Sequence, residues 1–383
     1  MKRPSIYLDH NATTPLHPDV TKALKKWTSE FGNPSSLYAT GRDARERVET
    51  ARDQLAALVG ALPSEIIFTG SATESNNHVF YSVLHEFWRS GQRAHVVISS
   101  IEHSSVLEMG AVLQGFGVDV SYVRVDRNGR IDLGHLVSCL RPDTHLISVM
   151  AVNNEVGAIQ PIAEIGLIAR ENGSLFHVDA VQAIGKIHFD LSPIAVDYAS
   201  FSGHKLYAPK GVGALYIRES ADISPLFFGG AQERQIRAGT ENVLGITAFG
   251  LAAEKLKDEW VGIADRHRIF RRQLCEGLTA IPDCVIHGHA TETVPGTVCV
   301  SFKGVSGDSL VMKSDMVGIY ISSGSACSTG STEPSHVLMA MTGDAELARS
   351  TVRFSFGRAT THAEIQTVLD VLPSMIKTLR ESR

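Results

Sequence analysis

A chain of 383 residues, 43% hydrophobic and 20% charged, has the composition of a globular protein able to bury a substantial core. Its 36 basic and 41 acidic residues leave a formal charge of −5, which argues against direct binding to nucleic acid or an anionic membrane. No apolar run approaches the roughly 18 residues of a bilayer span, and Asp9 arrives too early for a secretory h-region.

From about residue 62 to 217, strand-like and helix-like segments alternate. Glu65-Ile66-Ile67-Phe68-Thr69 leads through Gly70 into a helical pattern from Thr73 to Trp88. His95-Val96-Val97-Ile98-Ser99 precedes a helix from Ser104, and His145 to Met150 precedes a helix starting near Pro161. Ser174-Leu175-Phe176 then feeds His177-Val178-Asp179, and Asp197 to Phe201 feeds Ser202-Gly203-His204-Lys205. Short apolar strands alternating with helices predict an α/β fold whose mostly parallel sheet carries helices on both faces. In such sheets chemistry gathers at the carboxyl ends of the strands.

After Gly250 the pattern changes. A long charged helix (Ala252 to Leu278) leads to the strand-like run from Gly296 to Phe302. A Gly/Ser loop around Cys327, a strand from Val352 to Phe356 and a closing helix from His362 to about Arg380 follow. This predicts a smaller α+β domain made of residues 1–13 and 256–383, beside a large domain of residues 14–255. The loop at about 321–334 belongs to the small domain.

An Asp at one strand end and a Lys past the next is the arrangement pyridoxal phosphate needs. The Lys205 amine can condense with the cofactor aldehyde while Asp179 pairs with the ring nitrogen and keeps the ring an electron sink. Gly70-Ser71-Ala72-Thr73 lies between a strand and a helix, where backbone N–H groups and the Thr73 hydroxyl can receive a phosphate. An ordinary helix cap explains that segment equally well. Ser202 and His204 flank the lysine and can reach the same phosphate. His103, just past a strand, can stack on a flat ring. Arg353 stands in an apolar strand, where its guanidinium needs a partner: a substrate carboxylate or a structural acid. No histidine shows metal-ligand spacing. Five cysteines without a C-x-x-C pair or a secretion signal indicate a reducing, cytoplasmic setting. Cys327, flanked by glycines at 324 and 330, reads as the reactive thiol among them.

The ordered motifs resemble those of cysteine desulfurases of the NifS/IscS type, within the class V aminotransferases and the fold type I pyridoxal-phosphate enzymes. They run from Tyr7-Leu8-Asp9-His10-Asn11-Ala12-Thr13-Thr14-Pro15 to Val352-Arg353-Phe354-Ser355-Phe356-Gly357-Arg358. Between them stand Phe31-Gly32-Asn33-Pro34-Ser35-Ser36, Gly70 to Asn77, Glu102-His103, Val152 to Gly157, His177 to Gln182, Ser202 to Lys205, Gly229 to Arg234 and Arg237 to Asn242. The sequence departs from the family pattern at Tyr38 and Ala231, away from the assigned chemistry.

The resemblance implies a seven-stranded sheet in the large domain and pyridoxal 5'-phosphate joined to Lys205. His103, Asn154, Asp179 and Gln182 would contact the cofactor ring. Ala72, Thr73, Ser202, His204 and Thr240 would hold the phosphate, with Thr240 supplied by the other subunit of a homodimer. Asn11, Asn154 and Arg353 would grip the carboxylate of L-cysteine. Cys327 would accept sulfur as a persulfide and pass it to an acceptor protein, such as an iron–sulfur scaffold or a tRNA-thiolation or DNA-phosphorothioation enzyme. No metal is expected, save iron–sulfur contact through Cys327 during transfer. A selenocysteine lyase or an aminotransferase on the same fold is the nearest alternative, and a non-catalytic sulfur-relay scaffold the more distant one.

Overall fold

The computed structural model describes residues 5–92, 94–324 and 333–382. Its strands are β1 (Ile6–Tyr7), β2 (Ile66–Thr69), β3 (His95–Ser99), β4 (Asp119–Val123), β5 (Thr144–Ser148), β6 (Leu175–Asp179) and β7 (Tyr198–Ser202). They continue as β8 (Gly213–Ile217), β9 (Cys284–His287), β10 (Thr297–Phe302), β11 (Ile319–Tyr320), β12 (Ser322–Ser323) and β13 (Thr351–Ser355). The α-helices are α1 (Pro18–Trp27), α2 (Ala39–Val59), α3 (Ala72–Ser90), α4 (Ser104–Gly115), α5 (Leu133–Cys139) and α6 (Ile162–Asn172). After them come α7 (Val243–Thr279), α8 (Gly307–Asp315), α9 (His336–Thr342), α10 (Ala345–Arg349) and α11 (His362–Glu381).

Seven strands form the main sheet in the order β2-β8-β7-β6-β5-β3-β4. Only β8 opposes the rest; it pairs antiparallel with both β2 and β7. The parallel, helix-covered sheet expected from the sequence is therefore the one observed. Burial on both faces explains the continuous apolar strands. Phe176 and Val178 of β6 enter the core under α2 and α7, while Ile98 of β3 and Leu146 of β5 pack with Phe80 and Val83 of α3 on the other side. His177 faces away from Phe176, between Ser148 Oγ at 2.8 Å and Ser200 Oγ at 3.1 Å. Those hydroxyls on neighbouring strands satisfy a ring that burial holds neutral, with its pKa pushed down to about 4.

A second, four-stranded antiparallel sheet runs β12-β13-β10-β9, with α8 and α11 packed beside it. The helix α7 links the two cores: Phe249 and Leu256 pack in the first, Phe270 and Leu274 in the second. The expected division at residues 255/256 thus falls inside one continuous helix. The opening strand β1 pairs with β11, and the Leu8 and His10 amides bond the Tyr320 and Ser355 carbonyls. Residues 9–14 are thereby drawn across from the second sheet toward the carboxyl edge of the first.

Candidate active site

At that edge, the ends of β2, β3, β5, β6 and β7 open onto a cavity of about 300 Å³, lined among others by Ala12, Ser71, Val181 and Lys205. Asp179 closes β6 with its carboxylate held from two sides. Oδ1 accepts from the Val181 amide at 3.0 Å, and Oδ2 from Asn76 Nδ2 at 2.9 Å. The same Asn76 amide also donates to Ser105 Oγ at 2.9 Å. Ser105 Oγ lies 2.8 Å from His103 Nδ1, which accepts the Ser105 amide as well. This places the ring proton of a neutral His103 on Nε2. Burial lowers the His103 pKa, the nearby Asp179 opposes that shift and Lys205 adds to it.

Lys205 follows β7 in a short 3₁₀ turn, Gly203–Lys205. Its Nζ donates to the backbone oxygens of Asn11 at 2.5 Å and Ala12 at 2.6 Å. The Thr14 amide and hydroxyl in turn bond the His204 carbonyl at 3.0 and 2.9 Å, fastening the opening segment to the lysine turn. Gln182 Nε2 donates to the Asn11 carbonyl at 3.1 Å, and Gln182 Oε1 accepts from Lys186 Nζ.

The first turn of α3 also lines the cavity. Ser71 caps the helix by accepting the Glu74 amide, which leaves the Ala72 and Thr73 N–H groups as first-turn donors without intrahelical acceptors. Gly213 of β8 passes directly beneath; a Cβ there would meet the Ser71 carbonyl carbon at 2.6 Å. Ser202 and His204 line the same cavity. Burial and the neighbouring lysines, Lys205 first, hold the His204 pKa down at about 4.

Opposite, Arg353 of β13 is 2% exposed. Nη2 pairs with Asp9 Oδ1 at 2.7 Å and Nη1 donates to the Asn154 carbonyl at 2.9 Å. A structural acid is therefore one of its partners. Its Nε is buried without a partner among the described residues. Asn11 Nδ2 shares the Asn154 carbonyl at 3.1 Å and also reaches Thr297 Oγ1 at 2.8 Å.

The structure thus brings together Asn11, Ala72, Thr73, His103, Asn154, Asp179, Gln182, Ser202, His204, Lys205 and Arg353 around one cavity. Thr240 is exposed and outside it, and Cys327 lies outside the described residues. Asn76, Ser105, Asp9 and Lys186 complete the network without having been singled out from the sequence. Asn76 follows Thr73 by three positions on one helix, so helical spacing alone could have flagged it.

These residues suit pyridoxal phosphate. A carboxylate, a lysine amine and the N-terminus of a helix line one cavity together with Arg353, whose buried Nε has no partner among the described residues. The comparisons agree. The aminotransferase class-V family matches residues 6–368. A relative named cysteine desulfurase IscS, from Methanosarcina thermophila, is 43% identical over 98% of this chain and 93% of its own. A solved NifS-like protein superposes with a TM-score of 0.92 at 37% identity, covering 98% of this chain and 100% of that one. A structure described as SspA in complex with cysteine gives 0.82 at 33% identity, covering 92% and 99%. The chain belongs to the class V aminotransferase family and, within it, to the pyridoxal-phosphate-dependent cysteine desulfurases of the NifS/IscS type.

Proposed function

We propose that this protein takes sulfur from L-cysteine, releases L-alanine and hands the sulfur from Cys327 to an acceptor protein. The observation that carries the reading is the placement of Lys205, Asp179 and the α3 N-terminus around one cavity, with Arg353 on its far wall. When bound, pyridoxal phosphate supplies an electron sink for the carbanion left after loss of the substrate's α-proton.

The residues divide that work. Lys205 anchors the cofactor and, once released, carries the α-proton. Asp179 would keep the ring nitrogen protonated, His103 would stack on the ring, and Asn154 and Gln182 would bond to it. Ala72, Thr73, Ser202 and His204 hold the phosphate. Arg353, Asn11 and Asn154 take the substrate carboxylate, aiming its sulfur outward. The Cys327 thiolate then bonds to that sulfur as the substrate C–S bond breaks. The electron pair stays on the β-carbon, which takes up one proton, and Lys205 returns the other to the α-carbon, giving alanine.

Thr240 would complete the phosphate site from the other subunit of a homodimer. Supporting this, the large apolar side chains of Phe31, Leu37 and Phe228 are 86%, 85% and 76% exposed. The acceptor would be a protein of iron–sulfur assembly, tRNA thiolation or DNA phosphorothioation.

Alanine production from L-cysteine tests the reading. Parent protein is expected to make alanine, and Lys205→Ala and Cys327→Ser to make almost none. Parental alanine formation by Cys327→Ser would contradict the transfer to that thiol.

A further inference from the structure

Lys186 follows Gln182 by four positions and sets its amine against two residues that line the site, Asn11 and Gln182. Nζ donates to Asn11 Oδ1 at 2.9 Å and to Gln182 Oε1. A side-chain amide can point either its oxygen or its NH2 at a neighbour, and the neighbours decide. A lysine amine offers at least two N–H donors whether charged or neutral, so both amides present their oxygens to it. Burial, and then the charges of Lys205 and Arg353, drive the Lys186 pKa well below its usual value. Neither state removes the two donors in use.

The consequence for each amide is definite. With Oε1 tied back, Gln182 turns its NH2 forward. One hydrogen goes to the Asn11 carbonyl at 3.1 Å, and the other is left for the cavity that Gln182 lines. With Oδ1 tied back, Asn11 turns its NH2 to the Asn154 carbonyl and Thr297 Oγ1, beside the Arg353 guanidinium. We propose that Lys186 is a positioning residue: its amine fixes Gln182 as a donor toward the cofactor and holds the Asn11 amide against the Asn154 carbonyl and Thr297 Oγ1, beside Arg353. This rests on the reading of the cavity as the pyridoxal-phosphate and cysteine site.

The test compares parent, Lys186→Met, Gln182→Leu and the double variant as reconstituted holoenzymes. Three quantities are read: the dissociation constant for pyridoxal phosphate, the pH midpoint of its visible absorption, and KM against kcat for L-cysteine. Lys186→Met is expected to weaken cofactor binding about tenfold and to move the spectral midpoint in the same direction as Gln182→Leu. KM should rise by more than kcat falls. Adding Lys186→Met to Gln182→Leu should weaken cofactor binding by no more than about twofold further. Parental affinity and spectrum in Lys186→Met, or additive losses in the double variant, overturn the proposal. If the Met variant does not fold, Lys186→Gln, which retains an N–H donor, replaces it. Values between parent and Gln182→Leu support the assignment, and values as poor as Gln182→Leu overturn it. A coloured parent with an unshifted Lys186→Met contradicts only the role of Lys186; a parent that never takes up the cofactor overturns the cavity's reading and this assignment together.

Discussion

Asn76 Nδ2 stands 2.9 Å from Asp179 Oδ2, tying the second turn of α3 to the end of β6 across 103 residues of sequence. The carboxylate assigned to the cofactor ring is therefore oriented by the helix whose N-terminus is assigned to the phosphate. One rigid element sets both ends of the cofactor site.

Asn76→Leu removes both donor contacts, to Asp179 and to Ser105, while keeping the branched shape of the side chain. Alanine formation is expected to fall about tenfold while the thermal melting of the apo protein changes little. Parental turnover in this variant would mean that Asp179 needs no such support.

Arg353→Lys keeps a positive charge but loses the planar fork and the free Nε donor. KM for L-cysteine should rise by about tenfold or more, with a smaller change in kcat. Steady-state kinetics at several cysteine concentrations check this; an unchanged KM would place the carboxylate elsewhere.

Much of this site could be read from the chain itself. Strands ending in Asp179 and Ser202 have the apolar continuity of a helix-covered sheet, and Asp, Lys and the Gly70–Thr73 turn each follow such a strand. What escaped were partners joined through space. Asp9 and Arg353 are 344 positions apart, and nothing local in either segment announces their pairing. Nothing in the local sequence marks Lys186, because only the fold brings Asn11 to it.

Arg52 and Glu233 form a buried bidentate pair, with side chains 5% and 3% exposed. Glu233 also accepts the Phe68 amide at 2.7 Å and sits at φ 42°, followed by Arg234 and Gln235 at φ 58° and 65°. The pair holds this left-handed run in place. Glu233→Gln leaves the guanidinium with only the more exposed Glu49 as its counter-charge and should cost about 2–3 kcal/mol in urea unfolding. A loss below about 1 kcal/mol would show that the pair is dispensable.

Acid should destabilise the fold. Burial lowers His10 to about 3 and His177, His267 and His287 to about 4, from an ordinary value of 6.5. Between these values the unfolded chain binds more protons than the folded one. Their contribution is complete above pH 6.5 and is lost as pH falls toward 4. Glu155, raised to about 7 by burial, runs the other way: its contribution is complete below 4.5 and is lost as pH rises through 7. The histidines outnumber it, so the urea midpoint should be lower at pH 5 than at pH 7. An equal or higher midpoint at pH 5 would contradict this balance.

The central claim is that the cofactor joins the chain at Lys205 and not at its buried neighbour Lys186. Holoenzyme is reduced with borohydride, digested and analysed by mass spectrometry. The account predicts a pyridoxyl-phosphate mass on the peptide containing Lys205 and none on Lys186. A modified Lys186, or no modified lysine in protein that has taken up the cofactor, would contradict it.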